Sequence, residues 1–407
     1  MSDPTDASLA ALYETLPYPA RDPADEARRL ILGSPSHLRE IDFWGFGARR
    51  PASAPLRILV AGGGTGDATI MLATQLERAG RPGHITHLDR SATALAIARA
   101  RLARRGLDHR VNFVAGSLLD SLPDRFDYID CCGVLHHLPD PAEGLRALTG
   151  MLAPGGAMGL MVYAPYGRTG VYMAQEALRL LAPATAPMPV RLELARKFWR
   201  HLPDRAWLRL NRSVTDHVDG GDAGLAGLLL NPRDKAFTVD AFAALLTEVG
   251  LTATCLLEPL RYDPDALMPD PKLRAATARL TMIQRAALAE ATSGTMSTHV
   301  AYCRRTDELL TAPDPLDRAA VPVVRDGDGD GDALAASIRP DDTLPFVCEA
   351  LTTTIALPRL ARPMLRAIDG RRTVAELADL VPGFDRAWPE LFAKLSAANR
   401  LLLAATP

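Results

Sequence analysis

Residues 58–67 read ILVAGGGTGD, a β-rich run that leads directly into a glycine-rich turn and then into a helical pattern. Glycines let a backbone approach a ligand closely, and the first turn of a helix offers it unpaired N–H groups. A dinucleotide fingerprint would need its third glycine where Asp67 stands, and the sequence has no P-loop pattern G-x-x-x-x-G-K-[ST]. The spacing that remains is G-x-G-x-G, formed by Gly62, Gly64 and Gly66.

Strand-like and helix-like segments alternate around this turn. Short apolar runs predict strands, and the segments between them have helical periodicity. The sequence therefore predicts an α/β fold with a doubly wound, mostly parallel sheet of seven strands. The predicted strands lie at 57–61, 84–88, 111–116, 126–134, 157–163, 251–260 and 297–305.

Further motifs follow the turn in order. Asp89 ends the second predicted strand, and Gly116-Ser117 follows the third. The stretches FDYIDCCGVLHHLPDP (126–141) and LAPGGAMGLMVY (152–163) cover the fourth and fifth. Together with G-x-G-x-G, this series resembles the class I S-adenosylmethionine-dependent methyltransferases. The resemblance implies a Rossmann-like fold, S-adenosylmethionine as the cofactor, and transfer of its methyl group.

The resemblance also implies which residues hold the cofactor. The glycine turn would admit the methionine arm, Asp89 would accept both ribose hydroxyls, and Ser117 would border the adenine. Two positions depart from the family pattern. Val60 stands where many members have an acid that places the methionine amine, a role for which Asp67 is one alternative, and Ser117 replaces a frequent aspartate. Cys131 either touches the methionine arm or is a small buried hydrophobe. The predicted cofactor residues are Gly62, Gly63, Gly64, Gly66, Asp67, Asp89, Arg90, Ser117, Leu118, Cys131 and Tyr18.

Polar side chains in the later motifs indicate an acceptor site. His137 is predicted as a general base if the nucleophile is a hydroxyl or a protonated amine, because imidazole titrates near neutrality. The alternative for His136 and His137 is a structural or cofactor-shaping role. Tyr163, Tyr166 and Arg168 follow the carboxyl end of the fifth strand, where doubly wound folds bind ligands. The predicted substrate contacts are His136, Tyr163, Tyr166 and Arg168.

Residues 1–55 precede the fold as a proline-rich arm that contains YETLPYP at 13–19. This stretch resembles the lead-in of a bacterial methyltransferase group that is sometimes fused to tetratricopeptide repeats or regulatory domains. Tyr13 and Tyr18 have the aromatic rings needed to cover the cofactor and attract its sulfonium by cation–π interaction. The arm is therefore predicted as a lid, and the alternative is a plain arm packed on the core.

The sequence predicts one enlarged methyltransferase domain at 56–308. Within it, helical insertions at 164–236 and 261–296 are expected to build the acceptor pocket. Residues 309–342 are predicted as a linker. Residues 343–407 are predicted as a small, mostly helical module, either a helical cap or a winged-helix-like unit.

Composition limits the expected partners. The 407 residues include 46 basic and 48 acidic side chains and have a net charge of −2, which gives no global attraction to nucleic acid or to an anionic membrane. The five scattered cysteines have no zinc spacing, so no metal is predicted. The acidic N-terminus predicts a cytoplasmic location, and the arginine and alanine richness indicates a bacterial source with a GC-rich genome.

The predicted function is transfer of a methyl group, by in-line displacement, to an O, N or C nucleophile of a small molecule or a protein side chain. The alternative is a noncatalytic S-adenosylmethionine-binding regulatory or interaction protein, which the missing acid at Val60 and the C-terminal module keep open. Similarity of fold does not name the acceptor, and the sequence leaves the oligomeric state undetermined.

Overall fold

The structure is a computed structural model that describes residues 4–120, 122–349 and 351–404. The first three residues of the predicted arm and the last three of the predicted C-terminal module lie outside the described residues. Among the helices that are described, none has the length and apolar character needed to cross a bilayer.

A seven-stranded sheet forms the centre of the fold, which confirms the predicted architecture. Its strands are β1 Leu56–Ala61, β2 Gly83–Asp89, β3 Val111–Ala115, β4 Phe126–Cys132, β5 Leu152–Tyr163, β6 Leu251–Leu257 and β7 Thr298–Arg305. The spatial order is β3-β2-β1-β4-β5-β7-β6, and β7 alone among these strands runs in the opposite direction. The chain winds away from β1 toward both edges, so a ligand crevice is expected at the carboxyl ends of β1 and β4.

Helices cover both faces of the sheet. Short 3₁₀ turns lie at Pro23–Ala27, Asp108–Arg110, Leu135–His137, Pro259–Tyr262 and Thr306–Glu308, and a π-helical turn lies at Ile41–Gly45. In chain order the helices are α1 Pro4–Thr15, α2 Leu38–Glu40, α3 Asp67–Arg78, α4 Ala92–Arg105, α5 Pro141–Met151, α6 Val171–Leu181, α7 Met188–His201, α8 Trp207–Leu210, α9 Asp216–Asp219, α10 Gly221–Leu229, α11 Val239–Glu248, α12 Pro264–Leu267, α13 Pro271–Thr277 and α14 Met282–Ser293.

Three apolar clusters fix these helices in place. Side chains of α3 and α4 pack on one face of the sheet together with the segment 38–46, and side chains of α5 and α11 pack on the other. Helices α6, α7 and α10 form a cluster of their own, into which α1 inserts Leu12. The first insertion and the N-terminal arm are therefore packed against each other.

The end of the chain differs from the sequence prediction. A linker was expected at 309–342, but Val321, Val323 and Val324 are buried in a strand that pairs with another strand near the C-terminus. Apolar runs of four residues are too short for periodicity to identify as strands. The elements are β8 Val321–Val324, α15 Asp332–Ser337, β9 Thr343–Cys348, β10 Leu351–Ala356, α16 Ala361–Ala367, α17 Val374–Leu380, α18 Phe384–Ala397 and β11 Leu401–Ala404.

Glu40 joins this C-terminal module to the sheet. Its fully buried carboxylate forms an ion pair with Arg325, which follows β8. It also accepts hydrogen bonds from Ser34 Oγ at 2.9 Å, Tyr302 Oη at 2.7 Å and Asn399 Nδ2 at 2.7 Å. A buried carboxylate with several donors and one cation is stable only while that cation is present.

We expect Arg325→Met to lower the free energy of unfolding by about 3–5 kcal/mol, because it leaves the charge of Glu40 buried and uncompensated. Arg318→Met is the matched control, since Arg318 pairs with Asp385 at the surface and such pairs contribute about 1 kcal/mol or less. Urea denaturation of both variants measures the difference. A loss no larger than that of the control would show that Glu40 does not depend on Arg325.

Candidate active site

A cavity of about 980 Å³ opens at the carboxyl ends of the central strands. A cavity of this size is large enough for a nucleoside cofactor together with part of an acceptor. Its wall combines segments that are distant in sequence: the arm, the glycine turn, the ends of several strands and the first insertion. The residues that define its shape are Tyr13, Tyr18, Val60, Gly62, Gly64, Asp89, Ser117, Leu118, Asp130, Cys132, Val134, His137, Met161, Tyr163, Arg168 and Asp216.

The glycine turn borders the cavity beside β1. Gly62 has a φ of +72°, and a Cβ at that position would lie 2.5 Å from Cγ2 of Val134. Backbone conformation and space therefore both exclude a side chain there. The Gly62 N–H donates to the carbonyl of Leu88 at 2.8 Å, which ties the turn to β2.

Asp89 ends β2 and faces the cavity. Its Oδ2 accepts the Gly64 N–H at 2.7 Å, and its Oδ1 accepts the Ser91 N–H at 2.8 Å. Burial raises the pKa of Asp89, while these backbone N–H groups act in the opposite direction. Each carboxylate oxygen retains acceptor capacity, so Asp89 can also bind two ribose hydroxyls.

Asp67 begins α3 and is already paired inside the protein. Arg21 Nη2 lies 2.6 Å from its Oδ2, and Arg101 Nη1 lies 2.7 Å from its Oδ1. Although burial opposes them, the two arginines lower the pKa of Asp67. Its charge is therefore compensated without a ligand, and Arg21 fastens the arm to the glycine turn.

The N-terminal arm forms a roof over the cavity. Glu14, in α1, accepts hydrogen bonds from Ser91 Oγ at 2.7 Å and Thr93 Oγ1 at 2.6 Å, at the start of α4. Tyr18 donates its hydroxyl to Asp216 Oδ1 at 2.9 Å and so joins the arm to the first insertion. The role of this arm as a lid stays a prediction.

The surroundings of His137 determine its tautomer. Nδ1 lies 2.7 Å from the carbonyl oxygen of Arg233, which can only accept, so Nδ1 carries the proton. Nε2 of the neutral ring then accepts from the Tyr13 hydroxyl at 3.2 Å, and Asn231 donates to that hydroxyl at 3.2 Å. Burial lowers the pKa of His137, so the ring is neutral near pH 7 with its basic nitrogen toward Tyr13.

Tyr163, the last residue of β5, and Arg168, which follows that strand, form another part of the wall. Arg168 Nη2 lies 2.7 Å from Asp234 Oδ2, and both side chains are buried. The Arg168 guanidinium carbon lies 3.7 Å from the centroid of the Tyr163 ring, and the imidazole of His136 stacks on the same ring at 3.7 Å. Arg168 is therefore a compensated cation that holds Tyr163 in place.

Residues 59–158 match a protein-family model described as a methyltransferase domain. The seven-stranded sheet that holds this stretch has the Rossmann-like fold of such a domain. One curated relative is an uncharacterized protein, syc1184_c, of Synechococcus sp., 32% identical over 271 residues, which are 66% of this chain and 64% of that protein. Another is the ubiquinone biosynthesis O-methyltransferase of Stutzerimonas stutzeri, 29% identical over 174 residues, which are 40% of this chain and 65% of that protein. The chain thus spans just under two thirds of the length of both relatives.

A solved structure shares the overall fold. PKMT2 from Rickettsia typhi, in complex with AdoHcy, has a TM-score of 0.61 and 15% identity, covering 91% of this chain and 75% of that chain. At this identity the likeness concerns the fold alone. The coverage shows that the shared architecture extends beyond the methyltransferase domain.

The methyltransferase domain fits S-adenosylmethionine as its cofactor. Gly62 leaves a cradle that a Cβ would fill, and Asp89 presents acceptors for a ribose. Most residues predicted from sequence for cofactor, acceptor and base do line the cavity. They are Gly62, Gly63, Gly64, Asp67, Asp89, Arg90, Ser117, Leu118, Tyr18, His137, Tyr163 and Arg168.

Four predicted residues lie outside this wall. Gly66 precedes α3 as its N-cap, and a Cβ there would come within 2.9 Å of the Ala98 Cβ, so it serves helix packing. Cys131 is fully buried in the core under α5. His136 is fully buried beneath the wall, and Tyr166 is 42% exposed to solvent.

Sequence reasoning missed the cavity-lining residues of β4. Asp130 and Cys132 line the cavity, whereas Cys131 between them faces the core, because successive side chains of a strand point to opposite faces. All but the last residue of β4 are buried, so its sequence has no polar alternation that marks the ligand side. β4 pairs with β1, the strand that leads into the glycine turn, and this pairing places Asp130 opposite Val60. The register of the two strands therefore shows which residue of β4 lies beside the turn.

His87 supports the turn of the methyltransferase domain from below. Its ring is fully buried, and its Nδ1 lies 2.7 Å from Thr69 Oγ1. A Cβ at Gly63 would come within 2.4 Å of the His87 ring, so the ring and the turn are in direct contact. Burial lowers the pKa of His87 to about 4.

This shift predicts a loss of stability in acid. The unfolded pKa of histidine is about 6.5, so the contribution of His87 is complete above that pH and is lost as the pH falls from about 6.5 toward 4. Between pH 7 and pH 5 this loss of unfolding free energy amounts to about 2 kcal/mol. We expect the decrease in unfolding free energy between these pH values, measured with urea, to be smaller by that amount in His87→Gln. An equal decrease in both proteins would contradict it.

Proposed function

We propose that this protein is an S-adenosylmethionine-dependent methyltransferase that acts on an O, N or C nucleophile of a small molecule or a protein side chain. The observation that carries the proposal is the placement of Asp89 and the glycine turn in one cavity, within the stretch that matches the methyltransferase domain. The near-neutral charge argues against a nucleic-acid acceptor. The cytoplasmic location stays a prediction.

The cofactor residues divide the work along the sheet. The glycine turn admits the methionine arm, Asp89 accepts the ribose hydroxyls, and Ser117 with Leu118 borders the adenine. When bound, the cofactor supplies a methyl group made electrophilic by the sulfonium. The protein therefore has to place a nucleophile in line with that methyl group and exclude water, and orientation of this kind contributes up to about 7–11 kcal/mol.

The acceptor binds, in this proposal, beside the first insertion, where Tyr163 and Asp216 line the cavity. His137 acts as the base. Its Nδ1–H is held by the Arg233 carbonyl, so Nε2 is the atom that receives a proton, directly or through the hydroxyl of Tyr13. Burial keeps the ring neutral before the reaction, and the charge of Asp234 and the hydrogen bond to the Arg233 backbone favour the protonated ring that forms.

Calorimetric titration with S-adenosylhomocysteine tests the cofactor assignment. We expect the wild type to bind and Asp89→Asn to bind about 10- to 100-fold more weakly, because hydrogen bonds to a charged group are lost. Asp108→Asn is the control, since Asp108 is exposed and outside the cavity. Absence of binding by the wild type would refute the proposed function, and unchanged affinity of Asp89→Asn would refute the ribose role.

Methyl transfer itself is tested with methyl-labelled S-adenosylmethionine and a cell extract, separated into small molecules and proteins. We expect label in one fraction and a decrease of about 10²- to 10⁴-fold in rate for His137→Gln, the range for loss of a general base. Affinity for S-adenosylhomocysteine should stay within about twofold in that variant if the loss is chemical. Tight cofactor binding without transfer to either fraction would favour the noncatalytic alternative.

A further inference from the structure

Asp130 is a buried acid on the cavity wall that the proposed mechanism does not use. It is 1% exposed, and its Oδ2 accepts the Ser36 hydroxyl at 2.7 Å. Its Oδ1 accepts no hydrogen bond from the described residues, and none of their cations forms an ion pair with it. Burial raises the pKa of Asp130 to about 7. An unsatisfied carboxylate oxygen in such a place is costly unless a ligand completes it.

The position of Asp130 indicates what that ligand group is. Asp130 on β4 is in register with Val60 on β1, two residues before the glycine turn. Both residues line the cavity. Asp89 ends β2, on the opposite side of β1, two strands from β4. Neighbouring strands are about 4.8 Å apart, so the backbones of β2 and β4 lie about 10 Å from each other. This separation is comparable to the length of an extended homocysteine arm attached to a ribose.

The other acids near the turn are already compensated. Asp67 is paired with Arg21 and Arg101, and Asp89 accepts two backbone N–H groups. Val60 is apolar and cannot neutralise a cation. Of the described acids that line this part of the cavity, Asp130 has the carboxylate oxygen that no described donor contacts, as an ammonium partner requires.

We propose that Asp130 Oδ1 accepts the α-ammonium group of the methionyl arm, so that the counterion of the cofactor amine comes from β4 rather than from β1. This inference rests on the proposed function. Ser36 is a positioning residue, because its hydroxyl holds Oδ2 and leaves Oδ1 as the oxygen without a partner among the described residues. The competing view is a neutral carboxylic acid that only completes the packing around Ser36.

Two ligands distinguish these views. S-Adenosylhomocysteine has the amine, whereas 5′-methylthioadenosine keeps the nucleoside and sulfur and lacks the amino acid. In calorimetry, Asp130→Asn should bind S-adenosylhomocysteine about 10- to 100-fold more weakly than the wild type does. Its affinity for 5′-methylthioadenosine should change by less than about twofold. Asparagine is nearly isosteric with a protonated aspartate, so a purely structural acid predicts unchanged affinity for both.

Two variants serve as references. Asp89→Asn should weaken both ligands by similar factors, because both carry the ribose. Asp127→Asn, on the same strand but paired with Arg57 and outside the cavity, should change stability and leave the affinity ratio of the two ligands unchanged. The inference would be overturned if Asp130→Asn kept its affinity for both ligands, or if it lost affinity for both by the same factor. Failure of the wild type to bind either ligand would instead overturn the proposed function.

A second measurement covers the case in which Asp130→Asn does not fold. The wild type is titrated with the deamino analogue of S-adenosylhomocysteine, in which hydrogen replaces the amine. We expect it to bind about 10- to 100-fold more weakly than the parent compound. Equal affinity would show that the amine has no charged partner in this cavity and would overturn the inference.

Discussion

Hydrogen bonds from backbone N–H groups tie the glycine turn to the end of β2, and the cavity depends on them. Gly62 donates to the Leu88 carbonyl, and Gly64 donates to the Asp89 carboxylate. Both glycines have a positive φ, which lets the chain turn sharply at the end of β1. Neither has a side chain that would fill the cavity beside the turn. One arrangement thus opens the crevice and orients the acid that borders it. The parallel sheet supplies the rigid base on which this geometry rests.

Segments from elsewhere in the chain cover the carboxyl ends of the central strands. Helix α1 packs against the first insertion through Leu12, and Tyr18 bonds to Asp216. Arg21 holds the arm to Asp67 at the start of α3. These contacts cover part of the cavity, and the exclusion of water there strengthens electrostatic interactions.

The acids around the cavity differ in what balances their charge. Asp67 and Asp234 have arginine partners, and Asp89 has backbone N–H groups. Asp130 has one hydroxyl and an unsatisfied oxygen. Residues of one chemical type thus have different roles: fastening the arm, holding the wall, binding a ribose and, as we propose, binding an ammonium group. The partner of each acid, rather than its identity, sets its role.

The sequence alone determined the sheet, the order of its strands along the chain, the glycine turn and Asp89. These features depend on short-range patterns, because glycine spacing and apolar periodicity act within a few residues. Periodicity did not reveal β8 and β11, because runs of four residues are too short to identify as strands. Their pairing with each other in the structure identifies them. Tertiary structure alone decided that Ser36 meets Asp130 and that Glu40 meets Asn399, 359 residues away. Such contacts are set by how packed layers bring distant segments together, and no local pattern in the chain encodes them.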